Sequence, residues 1–170
     1  MQLAVAPPPS KLIDIPDGVP GVRATLKLMQ AAVKRGKVDP YIRAKALELT
    51  SGLRQKNKIG EIFAIWQFVK DRIRYVRDIR NVETLQDASY TLEQAAGDCD
   101  DKAVLTAALL ESIGHPTAFL ALGFTPGKFS HVIAETRAGS AGKWFPLETT
   151  EAVRFGWRPK NVKTALRQIN

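Results

Sequence analysis

Apolar positions recur at helical spacing in the first two thirds of the chain and at strand spacing afterwards. Val22, Leu26, Met29 and Val33 fall three or four residues apart and predict a helix from Val22 to Arg35, stopped by Gly36. Asp39-Pro40 offers an N-cap with proline at the first helical position, so a second helix is expected through Ala44, Leu47 and Leu49 towards Gly52. A third stripe, Ile62, Trp66, Val69, Ile73 and Val76, predicts a helix from Gly60 to Asp78 with Phe63 and Trp66 in the core. The Ala/Leu-rich run from Ala103 to Ile113 is apolar over most of its circumference and reads as the most buried helix, beginning near Cys99 and ending near Gly114. The period then changes. Thr117 to Leu122, Phe129 to Thr136 and Trp144 to Leu147 are short and rich in strand formers, the last two separated by the turn segment 138–142. Helices first and antiparallel strands last make an α+β fold.

Residues 1–20 hold five of the ten prolines and read as an extended arm, 21–57 as an N-terminal helical region and 58–170 as the main domain. A composition of 45% hydrophobic and 25% charged residues excludes a disordered or fibrous chain. The net charge of +8 favours anionic partners through the mean field. However, Lys70, Arg72, Arg74, Arg77 and Arg80 are interrupted by acids and interleaved with Ile73, Tyr75, Val76 and Ile79. That is the polar face of an amphipathic helix, and no specific nucleic-acid partner is expected. The first residues lack a charged segment followed by an apolar run, and no window approaches a membrane span, so a cytoplasmic protein without membrane contact is expected.

One cysteine excludes an internal disulfide and any cysteine-rich zinc site. Cys99 stands at a helix start, where free amides and the helix dipole favour a thiolate, yet Asp98, Asp100 and Asp101 surround it and oppose that charge. Asp98 as N-cap, with Asp101 in the first turn, would direct that charge to backbone donors, and a histidine is still needed to activate the thiol. His115 leaves the far end of the buried helix, about 24 Å from Cys99 by helical rise, and cannot serve. His131 lies within a strand, a rigid platform for an imidazole. If residues 138–141 form a four-residue turn, counting outward places His131 directly opposite Glu148, side chains about 5 Å apart. A carboxylate there would accept the second imidazole hydrogen and orient the ring. A one-residue slip would put Glu148 on the other face.

The blocks Gly97-Asp98-Cys99-Asp100-Asp101-Lys102-Ala103, Phe129-Ser130-His131-Val132 and Trp144-Phe145-Pro146-Leu147-Glu148-Thr149-Thr150 resemble the transglutaminase-like superfamily of papain-like cysteine enzymes, particularly small phage and prophage members, over residues 58–157. The resemblance implies a central helix starting at the cysteine, packed on an antiparallel sheet, and a triad of Cys99, His131 and Glu148. The glutamate replaces the more usual aspartate. The Cys99 amide is the expected oxyanion donor, with Gln94 as a second and Gln86 and Tyr90 as competitors. Trp144 and Trp157, with Phe124 and Phe155, are candidate walls of a substrate groove.

The expected function is cysteine-dependent acyl transfer, hydrolysing a peptide, isopeptide or related amide through a thioester on Cys99. Two alternatives are a catalytically silent binding or structural phage domain and a protein-crosslinking transglutaminase. A protein or peptide substrate is expected, with a larger phage assembly as a candidate partner and virion association as its corollary. No cofactor is expected. A metal site built from Asp98, Asp100, Asp101 and His131 is disfavoured, because near-consecutive aspartates at a helix start diverge and no EF-hand spacing is present.

Overall fold

Helix α1 (Gly18–Gly36) begins earlier than the apolar spacing predicts, because Pro20 falls in the first turn, where its missing N–H has no intrahelical partner to lose. The computed structural model describes residues 15–77, 84–139 and 142–170, so most of the proline-rich arm, Arg80 and part of the expected 138–141 turn lie outside the described residues. Helix α2 (Pro40–Thr50) starts as expected, Asp39 accepting the Tyr41 amide at 2.9 Å. Helix α3 (Lys58–Arg72) is capped by Asn57, which accepts the Gly60 amide at 3.0 Å. It stops short of the expected Asp78. The backbone turns extended at Ile73 and forms strand β1 (Arg74–Tyr75), so the basic run is divided between a helix end and a strand.

Helix α4 (Ala88–Gln94), which the apolar spacing does not predict, buries Ala88, Thr91 and Leu92. Strand β2 (Ala96–Gly97) pairs in parallel with β1, placing Arg74 opposite Ala96 and Tyr75 opposite Gly97. Helix α5 (Cys99–Ser112) follows at once and buries every residue from Asp101 to Leu110. Helices α1 to α4 pack on α5, and strands cover another side of it. The core draws on Leu26 and Met29 of α1, Ile42 of α2, Ile65 and Val69 of α3 and Leu105 and Leu109 of α5. Truncating a leucine such as Leu109 to alanine in such surroundings costs about 2–5 kcal/mol.

The sheet consists of β3 (Thr117–Gly123), β4 (His131–Thr136), β5 (Phe145–Leu147) and β6 (Thr164–Ile169), all antiparallel, in the order β5-β4-β3-β6. Strand β6 has no counterpart among the expected strands. The outcome is an α+β fold with a central helix that begins at the cysteine and packs on an antiparallel sheet, preceded by N-terminal helices. No helix among the described residues is long and apolar enough to cross a membrane.

The β4–β5 register corrects the expected one. A turn at 138–141 would set Ala134 opposite Phe145, whereas Ala134 pairs with Leu147, Glu135 with Pro146 and Thr136 with Phe145. The ladder is thus displaced by two residues. An even displacement keeps every side chain on its face. Continued one step, it aligns Glu148 with Ile133, on the same face as His131 and diagonal to it.

Candidate active site

The segment Gly97-Asp98-Cys99-Asp100-Asp101 carries its own capping chemistry. Asp98 accepts the amides of Asp100 at 2.9 Å and Asp101 at 3.1 Å, and Asp101 returns a bond by accepting the Asp98 amide at 3.2 Å. This capping box fixes the first turn of α5. The Cys99 amide is not among those that Asp98 takes. Asp101 also accepts the Gln86 amide at 2.8 Å, tying the segment before α4 to the helix start. A side chain at Gly97 would collide here, since a Cβ would lie 2.6 Å from that of Asp101.

On the strand side, His131 Nε2 donates to Glu148 Oε2 at 2.6 Å. A carboxylate only accepts, so this bond puts the hydrogen of a neutral ring on Nε2 and leaves Nδ1 with the lone pair that can take a proton. Glutamate's extra methylene suits the diagonal placement. The other carboxylate oxygen, Oε1, accepts the Thr150 amide and hydroxyl, both at 2.7 Å. The Glu148 carbonyl accepts the Trp66 indole N–H at 2.6 Å, which anchors the residue to α3. The carboxyl is 1% exposed. Burial pushes its pKa up, but the bond from His131, the charge that ring carries when protonated and the two Thr150 donors outweigh burial and hold it below the usual carboxylate value.

Helix and strand meet at the sulfur. The Val132 amide, next to His131, donates towards Cys99 Sγ, and the thiol itself donates to Asp100 Oδ1 at 3.3 Å. Burial, then the charges of Asp100 and Asp98, then the bond to Asp100, push the thiol well above its ordinary pKa, and the Val132 amide opposes them. In this arrangement Cys99 is a neutral thiol turned to Asp100.

A cleft of about 420 Å³ opens over His131 and Glu148, walled by Tyr75, Phe124 and Trp157, with Arg77 and Glu151 supplying charge. Trp157 and Phe124 therefore stand where a groove residue would. Trp144 is not among the lining residues: the Arg137 guanidinium lies 4.9 Å from its ring centre, and its carbonyl accepts from Arg158. Phe155 belongs to an aromatic cluster, its ring centre 5.2 Å from those of Phe63 and Trp66 and 4.7 Å from that of Phe145. Gln94 is the last residue of α4 and is exposed, whereas Gln86 accepts the Thr91 hydroxyl at 3.1 Å. His115 is buried away from the thiol and bonded to Glu61 at 2.6 Å.

Asp98, Cys99 and Asp100 bring one ligand atom each within 4.8 Å of one another, so the expectation that these aspartates diverge fails for that pair. The extended backbone of the N-cap turns Asp98 back over the first turn. Asp101 is drawn instead to the Gln86 and Asp98 amides.

Trp66, Thr150 and the Val132 amide escaped the sequence reading. Thr150 had a local signal, a hydroxyl two residues after a carboxylate. Trp66 reads as core from its spacing, and it is core; nothing in the spacing shows that its N–H holds Glu148 from a distance of 82 residues along the chain.

Comparison with known proteins agrees with this architecture. A protein from Parabacteroides distasonis, provisionally described as a protease, superposes with a TM-score of 0.59 at 18% identity, over 75% of this chain and 26% of that one. A protein from Cytophaga hutchinsonii, provisionally described as a cysteine protease, gives 0.52 at 20% identity, over 66% of this chain and 38% of that one. The chain thus spans well under half the length of either, and the likeness is one of fold. No curated protein sequence matches the chain. The family model of the transglutaminase-like superfamily matches residues 43–149, from within α2 to just past Glu148, an earlier start than the expected residue 58. The chain belongs to the transglutaminase-like superfamily.

Proposed function

We propose that the chain is a cysteine-dependent acyl-transfer enzyme that hydrolyses a peptide, isopeptide or related amide. Cys99 is the nucleophile, His131 the base and Glu148 the residue that orients the base. The observation that carries this reading is the Nε2–H to Glu148 bond of 2.6 Å on the strand residue whose neighbour, Val132, reaches the sulfur. That bond presents Nδ1 as the acceptor for the thiol proton, and the ionised carboxylate stabilises the imidazolium that results. Attack on the amide carbonyl forms the thioester, His131 returns the proton to the leaving amine, and water releases the acyl group. The Cys99 amide, left free by the capping box, is suited to the developing oxyanion.

Turning the thiol from Asp100 to His131 is a precondition for activity. A second reading, a silent family member, is favoured by the same sulfur, because a buried thiol bonded to an aspartate is a poor nucleophile. Iodoacetamide alkylation of Cys99 across pH separates the two. A rate already high near about pH 6, and strongly lowered in His131→Ala, is expected of the enzyme. A slow rate that follows an ordinary or raised thiol profile would sink that reading in favour of the silent one.

A further inference from the structure

Two charges of opposite sign, Arg77 and Glu151, share the cleft with His131, and both are exposed. Neither forms an ion pair among the described residues. The backbone that carries Arg77 is fixed near the helix start. Strand β1 pairs with β2, and the Val76 amide donates to the Gly97 carbonyl at 3.0 Å, two residues before Cys99. Arg77 follows directly, so a guanidinium fork with no carboxylate of its own stands at one wall of the cleft. The neighbouring chain shares its sign. The stretches 72–77, 124–131 and 152–164, which supply Tyr75, Phe124 and Trp157 to the walls, hold three, one and four lysines and arginines and no acid. Of these cations only Arg158 is ion-paired among the described residues, to Glu135. The aspartates at the start of α5 do not line the cleft. Such a field favours an anionic occupant. Glu151 restricts the choice: it opposes a polyanion charged at every repeat, whereas a polypeptide can offer a carboxylate to Arg77 and a backbone N–H to Glu151. A volume of about 420 Å³ has room for a few residues of such a chain.

We propose that the cleft selects an acidic peptide segment and that Arg77 is its specificity-determining residue, pairing with an aspartate or glutamate side chain beside the amide presented to His131. The proposal deepens the reading above, because it takes this cleft as the substrate site.

Peptide binding to the full chain tests this without thiol chemistry. With 5-fluorotryptophan incorporated, the ¹⁹F resonance of Trp157, assigned through Trp157→Phe, reports occupation of the cleft that this residue lines. Acetyl-Ala-Glu-Ala-amide should bind about tenfold more tightly than acetyl-Ala-Gln-Ala-amide, as a charge-assisted bond in place of a neutral one implies. Arg77→Gln should abolish that preference, and Arg77→Glu should turn it towards acetyl-Ala-Lys-Ala-amide. Glu151→Gln should tighten binding of the glutamate peptide. Both positions are exposed, so these substitutions leave the fold in place. Absent or equal binding of the first two peptides, or a preference that survives Arg77→Gln, overturns the proposal. So does a short oligothymidylate that occupies the cleft more tightly than the glutamate peptide. An intact peptide preference beside a thiol inert to iodoacetamide would instead refute the enzyme reading and leave the acidic occupant standing.

Discussion

Asp101 and Glu148 are both almost fully buried in the candidate site, and the protein pushes them in opposite directions. Burial and the Asp98 charge raise Asp101 to about 7, against the Gln86 and Asp98 amides that pull it down. Glu148 suffers the same burial but receives an imidazole, an amide and a hydroxyl, and stays below its ordinary value. The difference lies in the company each acid keeps. The helix start packs three aspartates and a thiol into one turn, and burial together with the charges of Asp100 and Asp98 keeps the sulfur protonated. The strand side surrounds one carboxylate with donors and is prepared to accept a proton on its histidine. In the proposed reading, the site therefore has a finished base and an unfinished nucleophile.

Removing the proposed base is the largest disturbance. His131→Ala should slow Cys99 alkylation at neutral pH by about 100-fold or more if the thiol reaches the ring, as expected for the loss of a positioned general base. An unchanged rate would mean that the two halves act separately, whatever their proximity.

Stability against pH comes next, because the two acids should write opposite slopes. Asp101 is raised when folded, so the native state holds more protons than the unfolded chain between about 3.8 and about 7. Its contribution is full below that window and is lost as pH rises through it, amounting to at most a few kcal/mol. Glu148 is depressed when folded, so its contribution is present above about 4.5 and is lost as pH falls through the lowered value. Chemical denaturation from pH 4 to 8 should show the Asp101 slope in the wild type and its disappearance in Asp101→Asn. A slope that survives the substitution would remove the contrast between the two acids.

Asp100→Asn sharpens the comparison from the helix side. It removes a charge beside the sulfur and weakens the acceptor that holds the thiol. Alkylation should become about tenfold faster at neutral pH, equivalent to one unit of thiol pKa. A slower reaction would show that Asp100 assists the thiol instead of restraining it.

The two halves were not equally legible in the sequence. The helix start could be read because Gly97 to Asp101 contains the N-cap, the capping-box partner and the thiol within one turn. On the strand side the shared face of His131 and Glu148 was legible by parity, but the register was not, since it depends on how the chain between β4 and β5 closes. Helix α4, Ala-Ser-Tyr-Thr-Leu-Glu-Gln, is too short and polar to announce itself, and edge strand β6 is held by its pairing with β3. The bonds from Trp66 to Glu148 and from Lys102 to Ile73 span 82 and 29 residues, and no local pattern encodes such separations.

Trp66→Phe probes the smallest effect and the finest part of the contrast. Phenylalanine keeps much of the ring packing against Phe63 and Phe155 but deletes the N–H that holds the Glu148 carbonyl. The lost bond should cost about 0.5–1.5 kcal/mol in global stability, with a further cost if the buried carbonyl finds no other donor. Because the carboxylate keeps both Thr150 donors, the His131 contact should loosen without breaking. Alkylation should therefore slow only a few-fold, with its pH profile in place, and equilibrium unfolding beside alkylation kinetics would read both effects. If the profile shifts as far as in Glu148→Gln, the anchoring of Glu148 belongs to α3, and the strand side of the site is finished only when the third helix is docked.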